Sequence, residues 1–194
     1  MNVLENLKSE FQKIASIPDE EWVHFANIFQ RKIFKKGEFF VLAGSFSMNF
    51  GFVEKGLMRY FYTTYDGEEF NQAFKIENDI LLSFTSVLLG EPSNFSIQAL
   101  EDTIAYVGNY QDTQPLYKRH SCWQELGRKI AEVNFIIKTK KEEQFLLYAA
   151  QERYENFARD YSHLLARVPQ MHIASYLGVS PETLNRIIKK SREK

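Results

Sequence analysis

VPQMHIASYLGVSPETLNRIIKK, residues 168–190, decides the reading of this chain. Ile173, Ala174 and Leu177 recur at helical spacing and supply the inward face of a first short helix, with Ala174 small where a second helix must cross closely. Gly178 fits the positive-φ position that ends such a helix, and Val179 plugs the turn. Ser180 is a good N-cap, Pro181 suits the first helical position, and Glu182 falls in the first turn, where negative charge is favoured. In the second helix Leu184, Ile187 and Ile188 point inward. Glu182, Thr183, Asn185, Arg186, Lys189 and Lys190 are left on the outer face.

Two short helices joined this way predict a helix-turn-helix, in which the second helix enters the major groove of double-stranded DNA. Glu182, Thr183, Asn185 and Arg186 are the candidate base readers: Arg186 can donate twice to guanine, and Glu182 can accept from cytosine N4. Lys189, Lys190 and Arg192 at the helix end, with Ser180 and His172 beside the turn, are candidate phosphate contacts, as is Lys194. The surrounding charge agrees. Residues 139–194 carry 10 basic and 7 acidic side chains, whereas the whole chain is at −1. The competing reading is a helical hairpin that binds a protein partner.

Upstream, further helices are expected at about 142–150 and 152–165. Before them lies KTKKEEQ (138–144), a polar patch taken as the domain boundary: 1–138 as a sensor-like domain and 139–194 as the reading head. Trp123, Leu126, Ile130, Val133 and Ile137 are spaced 3, 4, 3 and 4 residues apart, a two-heptad stripe. So narrow a stripe predicts a helix over 116–138 that pairs with a second copy of the chain, making a homodimer. The alternative is that the stripe lies against its own domain.

From Arg31 to about Tyr110 the texture changes to short Phe-, Val-, Ile-, Tyr- and Thr-rich runs punctuated by glycines, which predicts an antiparallel β domain. Asp66-Gly67 suits the turn of a hairpin. At the N-terminus, Leu4, Leu7, Phe11 and Ile14, then Trp22, Phe25 and Phe29, predict two short helices separated at Pro18-Asp19.

Composition narrows the function classes. With 194 residues, 44% hydrophobic and 15% aromatic, the chain has the makings of a folded core. A single cysteine, Cys122, excludes an internal disulfide, a Cys-ligated cluster and a multi-Cys zinc site. None of the four histidines lies in the β segment, so the imidazole set of a cupin-type metal centre is missing. Hydrolase, zincin, P-loop and dinucleotide motifs are also lacking. No catalytic residues, metal or cofactor are expected. No run reaches the roughly 20 apolar residues of a membrane span and the start has no secretory pattern, so a soluble cytoplasmic protein with no membrane partner is expected.

The order of parts resembles the Crp/Fnr family of bacterial transcription regulators. In the β domain the resemblance rests on Lys36-Gly37-Glu38-Phe39, Ala43-Gly44 and the run from Phe52 to Arg59, and in the head on Gly178 to Arg186. It implies an α+β architecture: an N-terminal antiparallel β-roll of double-stranded β-helix or jelly-roll type with flanking helices, a long dimerisation helix and a C-terminal all-α helix-turn-helix. It also implies RNA polymerase as a further partner. Glu182 and Arg186 fall on the family's base-contacting pair, while Pro181 replaces a residue that is often arginine.

The same resemblance points to cyclic AMP, which the family holds with a Gly-Glu pair and an Arg-Ser pair. Here those positions read Leu82-Ser83 and Ser93-Asn94. A phosphate without its arginine must trade hydration for neutral donors, so cyclic AMP is not expected to bind. Ser83, Phe84, Thr85, Ser86, Ser93, Asn94 and Ser96 remain as a candidate pocket for another effector. The alternative is that the aromatics fill the space and the hydroxyls cap a short helix.

Overall fold

The glycine-punctuated stretch forms eight strands in the computed structural model, which describes residues 3–192. They are β1 (Gln30–Phe34), β2 (Phe39–Val41), β3 (Asn49–Lys55), β4 (Met58–Thr63), β5 (Glu69–Lys75), β6 (Ile80–Leu82), β7 (Ser96–Ala99) and β8 (Thr103–Asn109). They make two four-stranded sheets, β1-β8-β3-β6 and β2-β7-β4-β5, rather than one closed barrel. β8 pairs antiparallel with β1 on one side and β3 on the other. Phe52, Val53, Leu57, Met58, Leu81, Ile97 and Ala105 are buried among the strands. The β3–β4 turn admits only glycine: Gly56 has φ +120°, and a Cβ there would lie 2.4 Å from Thr103 Oγ1 and 2.7 Å from Thr103 Cα.

The expected N-terminal helices are α1 (Val3–Gln12) and α2 (Asp19–Ala26). They lay Leu7, Phe11, Trp22 and Phe25 into one core with Phe29, Phe50 and Phe52. The helix expected over 116–138 is two. α3 (Gln114–Arg119) stops where His120 is extended, and α4 (Ser121–Leu147) restarts with the Cys122 N–H donating to His120 Nδ1 at 3.1 Å.

α4 also runs straight through the polar patch, because Lys, Glu and Gln favour the helix as well as the apolar residues do. No separate helix covers 142–150. α5 (Ala150–Asp160) follows, then a single 3-10 turn at Ser162–Leu164 where the expected helix over 152–165 would have continued, then α6 (Gln170–Leu177) and α7 (Pro181–Arg192).

The 3-4 stripe divides along its length. Trp123 and Leu126, each 4% exposed, lie in the chain's own core and Ile130 packs against it, so they are not available to a partner helix. The Trp123 ring stacks on Phe25 at 5.0 Å. Val133 and Ile137 remain exposed, at 53% and 54%. Cys122, beside Trp123, is buried, and burial raises its thiol pKa.

Two compact units result: residues 1–60 with 74–133, and residues 61–73 with 134–194. The division falls inside α4, between residues 133 and 134, and the β4–β5 hairpin tip belongs to the second unit.

In the first unit α4 is tied to α2 by a buried carboxylate. Glu21 accepts from the Trp123 indole N–H at 2.8 Å and from the Arg119 guanidinium at 3.1 Å, and these donors, the indole first, hold its pKa below the ordinary value. A carboxylate depressed in the folded state stabilises it above the unfolded pKa of about 4.3, and that contribution disappears as pH falls through the lower folded value. Glu21→Gln is expected to cost about 1–2 kcal/mol at neutral pH. Thermal melts across pH should show the gap between the two proteins closing as the medium becomes acid, and a gap that stays constant would refute the assignment.

Candidate nucleic-acid interface

The second unit is organised around the turn between α6 and α7. Gly178 sits in the left-handed region at φ +66° and ψ 39°, and its N–H donates to the Ser175 carbonyl while Val179 N–H reaches Ala174 at 3.0 Å. A Cβ at Gly178 would lie 2.9 Å from the Phe145 ring. Arg153 satisfies the α6 end: Nε and Nη2 donate to the Leu177 carbonyl at 3.1 and 3.0 Å, while Nη1 donates to the Tyr148 carbonyl at 2.9 Å. One guanidinium therefore joins the end of α4, α5 and the turn.

Ser180 caps α7, its Oγ accepting from Thr183 N–H at 3.2 Å. Leu184 is 0% exposed and Ile187 7%, fixing the inward face. The opposite face is open: Ser180, Glu182, Asn185, Arg186, Lys189 and Lys190 are exposed and Thr183 is half-buried. Glu182's own backbone N–H and the Ser180 hydroxyl keep its carboxyl below the ordinary range, so it is an ionised acceptor at neutral pH. The Arg192 side chain, and Lys194, lie outside the described residues.

α6 carries contacts that the sequence did not announce. β5 is an edge strand. The Ser175 hydroxyl accepts from Asn71 N–H at 2.9 Å and donates to the Glu69 carbonyl at 2.7 Å. The Asn71 amide, on a residue 5% exposed, donates to the His172 carbonyl at 3.3 Å and stands 3.3 Å from His172 Nδ1. The ring expected at phosphates thus faces the hairpin amide. Beside it the Lys141 ammonium donates to the Gln72 carbonyl and lies 4.0 Å over the Tyr176 ring; burial pulls its pKa down to about 8.

The candidate effector residues lie in the first unit and bond to one another and to the backbone. Ser83 Oγ donates to Ser93 Oγ at 2.9 Å, and Ser93 Oγ donates to the Phe95 carbonyl at 2.8 Å. Ser96 Oγ accepts from Ala43 N–H, Thr85 Oγ1 donates to Asn94 Oδ1, and buried Ser86 Oγ has no hydrogen-bond partner. Phe84 is 40% exposed and so does not fill a closed cavity. Tyr60 stacks on Phe95 at 5.4 Å, its hydroxyl between Leu82 N–H and the Ile80 carbonyl, and burial raises its pKa. The short helix here is a π turn, Thr85–Leu89, closed by Gly90 in the left-handed region, and no side chain caps its start.

The fold is that of solved Crp/Fnr-type regulators. FixK2 from Bradyrhizobium japonicum is 18% identical, with 86% of this chain and 85% of that one covered at a TM-score of 0.72. A transcriptional regulator of the Crp/Fnr family from Eubacterium rectale is 15% identical over 91% and 84%, at 0.71. The catabolite activator protein of Thermus thermophilus is 20% identical over 92% and 85%, at 0.57. No family model matches the sequence, and no curated protein does. Among the described residues no group of three or more His, Cys, Asp or Glu could hold a metal ion, and no helix is long and apolar enough to cross a membrane.

The turn yields a direct test. Gly178→Ala forces a Cβ into the left-handed region and toward Phe145, and should lower stability by about 1–2 kcal/mol, measured by chemical denaturation. A neutral result would show that the turn relaxes without the left-handed residue.

Proposed function

We propose that this chain is a sequence-specific, DNA-binding transcription regulator of the Crp/Fnr type, acting as a homodimer and not responding to cyclic AMP. One observation carries the reading: Glu182, Asn185 and Arg186 stand exposed on a capped helix whose other side is sealed by Leu184 and Ile187. Arg186 donates to guanine O6 and N7, Glu182 accepts from cytosine N4, Asn185 and Thr183 supplement them, and Lys189 and Lys190 neutralise phosphates. Ser180, exposed at the start of α7, contacts a phosphate in this reading, whereas the His172 ring faces the Asn71 amide and is assigned none.

Pairing with a second copy is supported by α4 beyond Ile130. Val133, Ile136 and Ile137, at 53%, 52% and 54% exposed, put apolar surface on one side of a helix that the chain's own core does not cover. Two heads then meet half-sites about 34 Å apart. RNA polymerase is the further partner that the likeness to transcription regulators suggests.

Selection of bound sequences from random duplex DNA should enrich a motif with two half-sites about ten base pairs apart. Failure to enrich any sequence would overturn the reading. Arg186→Ala should weaken binding to the enriched duplex by about 1–3 kcal/mol and relax specificity at one position. Wild-type affinity should fall steeply with salt, whereas an apolar protein interface would respond little.

The effector reading rests on the hydroxyl set. Ser83 and Ser93 spend their hydroxyls on each other and on the backbone, and the stretch from Asn78 to Asn94 contains no Lys or Arg to grip a phosphate. Calorimetry with cyclic AMP and cyclic GMP is expected to show no binding at micromolar concentrations. A micromolar or tighter constant for either would refute that.

A further inference from the structure

Edge strands leave a row of backbone N–H and C=O groups without a neighbouring strand, and proteins cover such edges with another element. On β5 that element is one side chain of α6. Residues 69 and 71 share an edge of the strand, and the Ser175 hydroxyl serves both, accepting from Asn71 N–H at 2.9 Å and donating to the Glu69 carbonyl at 2.7 Å. It stands where a neighbouring strand's backbone would. The Asn71 side chain continues the bracket one helical turn back, donating to the His172 carbonyl. Lys141 joins the third element, reaching from α4 to the Gln72 carbonyl and lying over Tyr176 of α6. All these groups belong to the same compact unit.

The bracket uses the outward side of α6 and leaves the outer face of α7 open: Glu182, Asn185 and Arg186 are exposed while it is made. It is therefore compatible with a bound duplex. It also adds a second anchor to the one that Arg153 makes between the turn and the end of α4. A head held at one point can pivot, and the freedom it retains must be lost when it docks. Held at two, it has already given up that freedom.

We propose that Ser175 and Asn71 are positioning residues for DNA recognition: the hairpin bracket fixes α6, and with it α7, relative to the end of α4 before DNA arrives. The proposal rests on the DNA-binding reading. Neither residue touches the duplex, so its loss changes affinity without changing how many phosphates are neutralised.

The test uses the full chain and a duplex enriched by the wild-type protein from random DNA. Ser175→Ala, which removes both strand-edge bonds, should weaken binding about tenfold. The slope of affinity against salt should stay the same, and Ser175→Thr, which keeps the hydroxyl, should restore binding. Hydrogen exchange without DNA should show the Asn71 amide protected in wild type and in Ser175→Thr and unprotected in Ser175→Ala. If Ser175→Ala fails to fold, Asn71→Ala, which removes only the amide side chain, should weaken binding about threefold with the slope retained.

Wild-type affinity in the bracket variants would overturn the proposal while leaving DNA binding intact. So would a reduced salt slope, which would make Ser175 a phosphate contact, or failure of threonine to restore binding. Should the wild-type chain bind no duplex at all, the DNA-binding reading falls, and the positioning role with it.

Discussion

A left-handed residue at Gly178 is the constraint on which the second unit depends. Only there can the chain end α6, satisfy its last carbonyls and set off again from Ser180 within two residues. The ring of Phe145 closes over the glycine so tightly that a side chain would displace it. Arg153 then gathers the Leu177 and Tyr148 carbonyls into one charge-assisted knot. With the turn fixed, Leu184 and Ile187 seal inward. The polar residues of α7 have nowhere to go but outward, so their exposure follows from backbone geometry before any consideration of function.

What could be read from the sequence was local. The cap at Ser180, the glycine turn and the hairpin at Asp66-Gly67 each depend on a few neighbouring residues, and each is present. α4 was harder, because its polar segment marks a change in surroundings and not in backbone preference, so the helix passes through it to Leu147. The 3-4 stripe failed as a single seam for a different reason. Periodicity shows which side of a helix is apolar but not what covers it, and Trp123, stacked on Phe25, and Leu126 belong to the chain's own core cluster.

Contacts across long sequence distances were illegible. Ser175 meets Asn71 from 104 positions away, and a serine in a short helix or an asparagine in a strand carries no mark of such a role. Glu21 and Trp123 are 102 positions apart, and nothing in an acidic first turn separates a buried indole acceptor from a solvated charge. In the first unit, the hydroxyls between Ser83 and Ser96 were visible as a cluster. Their pairing with one another was not, because it depends on which of them face a common interior.

The uninterrupted run of α4 has a mechanical meaning. Its 27 residues make a rod about 40 Å long at a rise of 1.5 Å each. A tilt of about 5° at one end of such a rod displaces the other by about 3.5 Å, close to the 3.4 Å rise between successive base pairs. A disturbance too small to unpack any side chain is thus enough, under the proposed DNA-binding role, to be worth one step of register along a double helix.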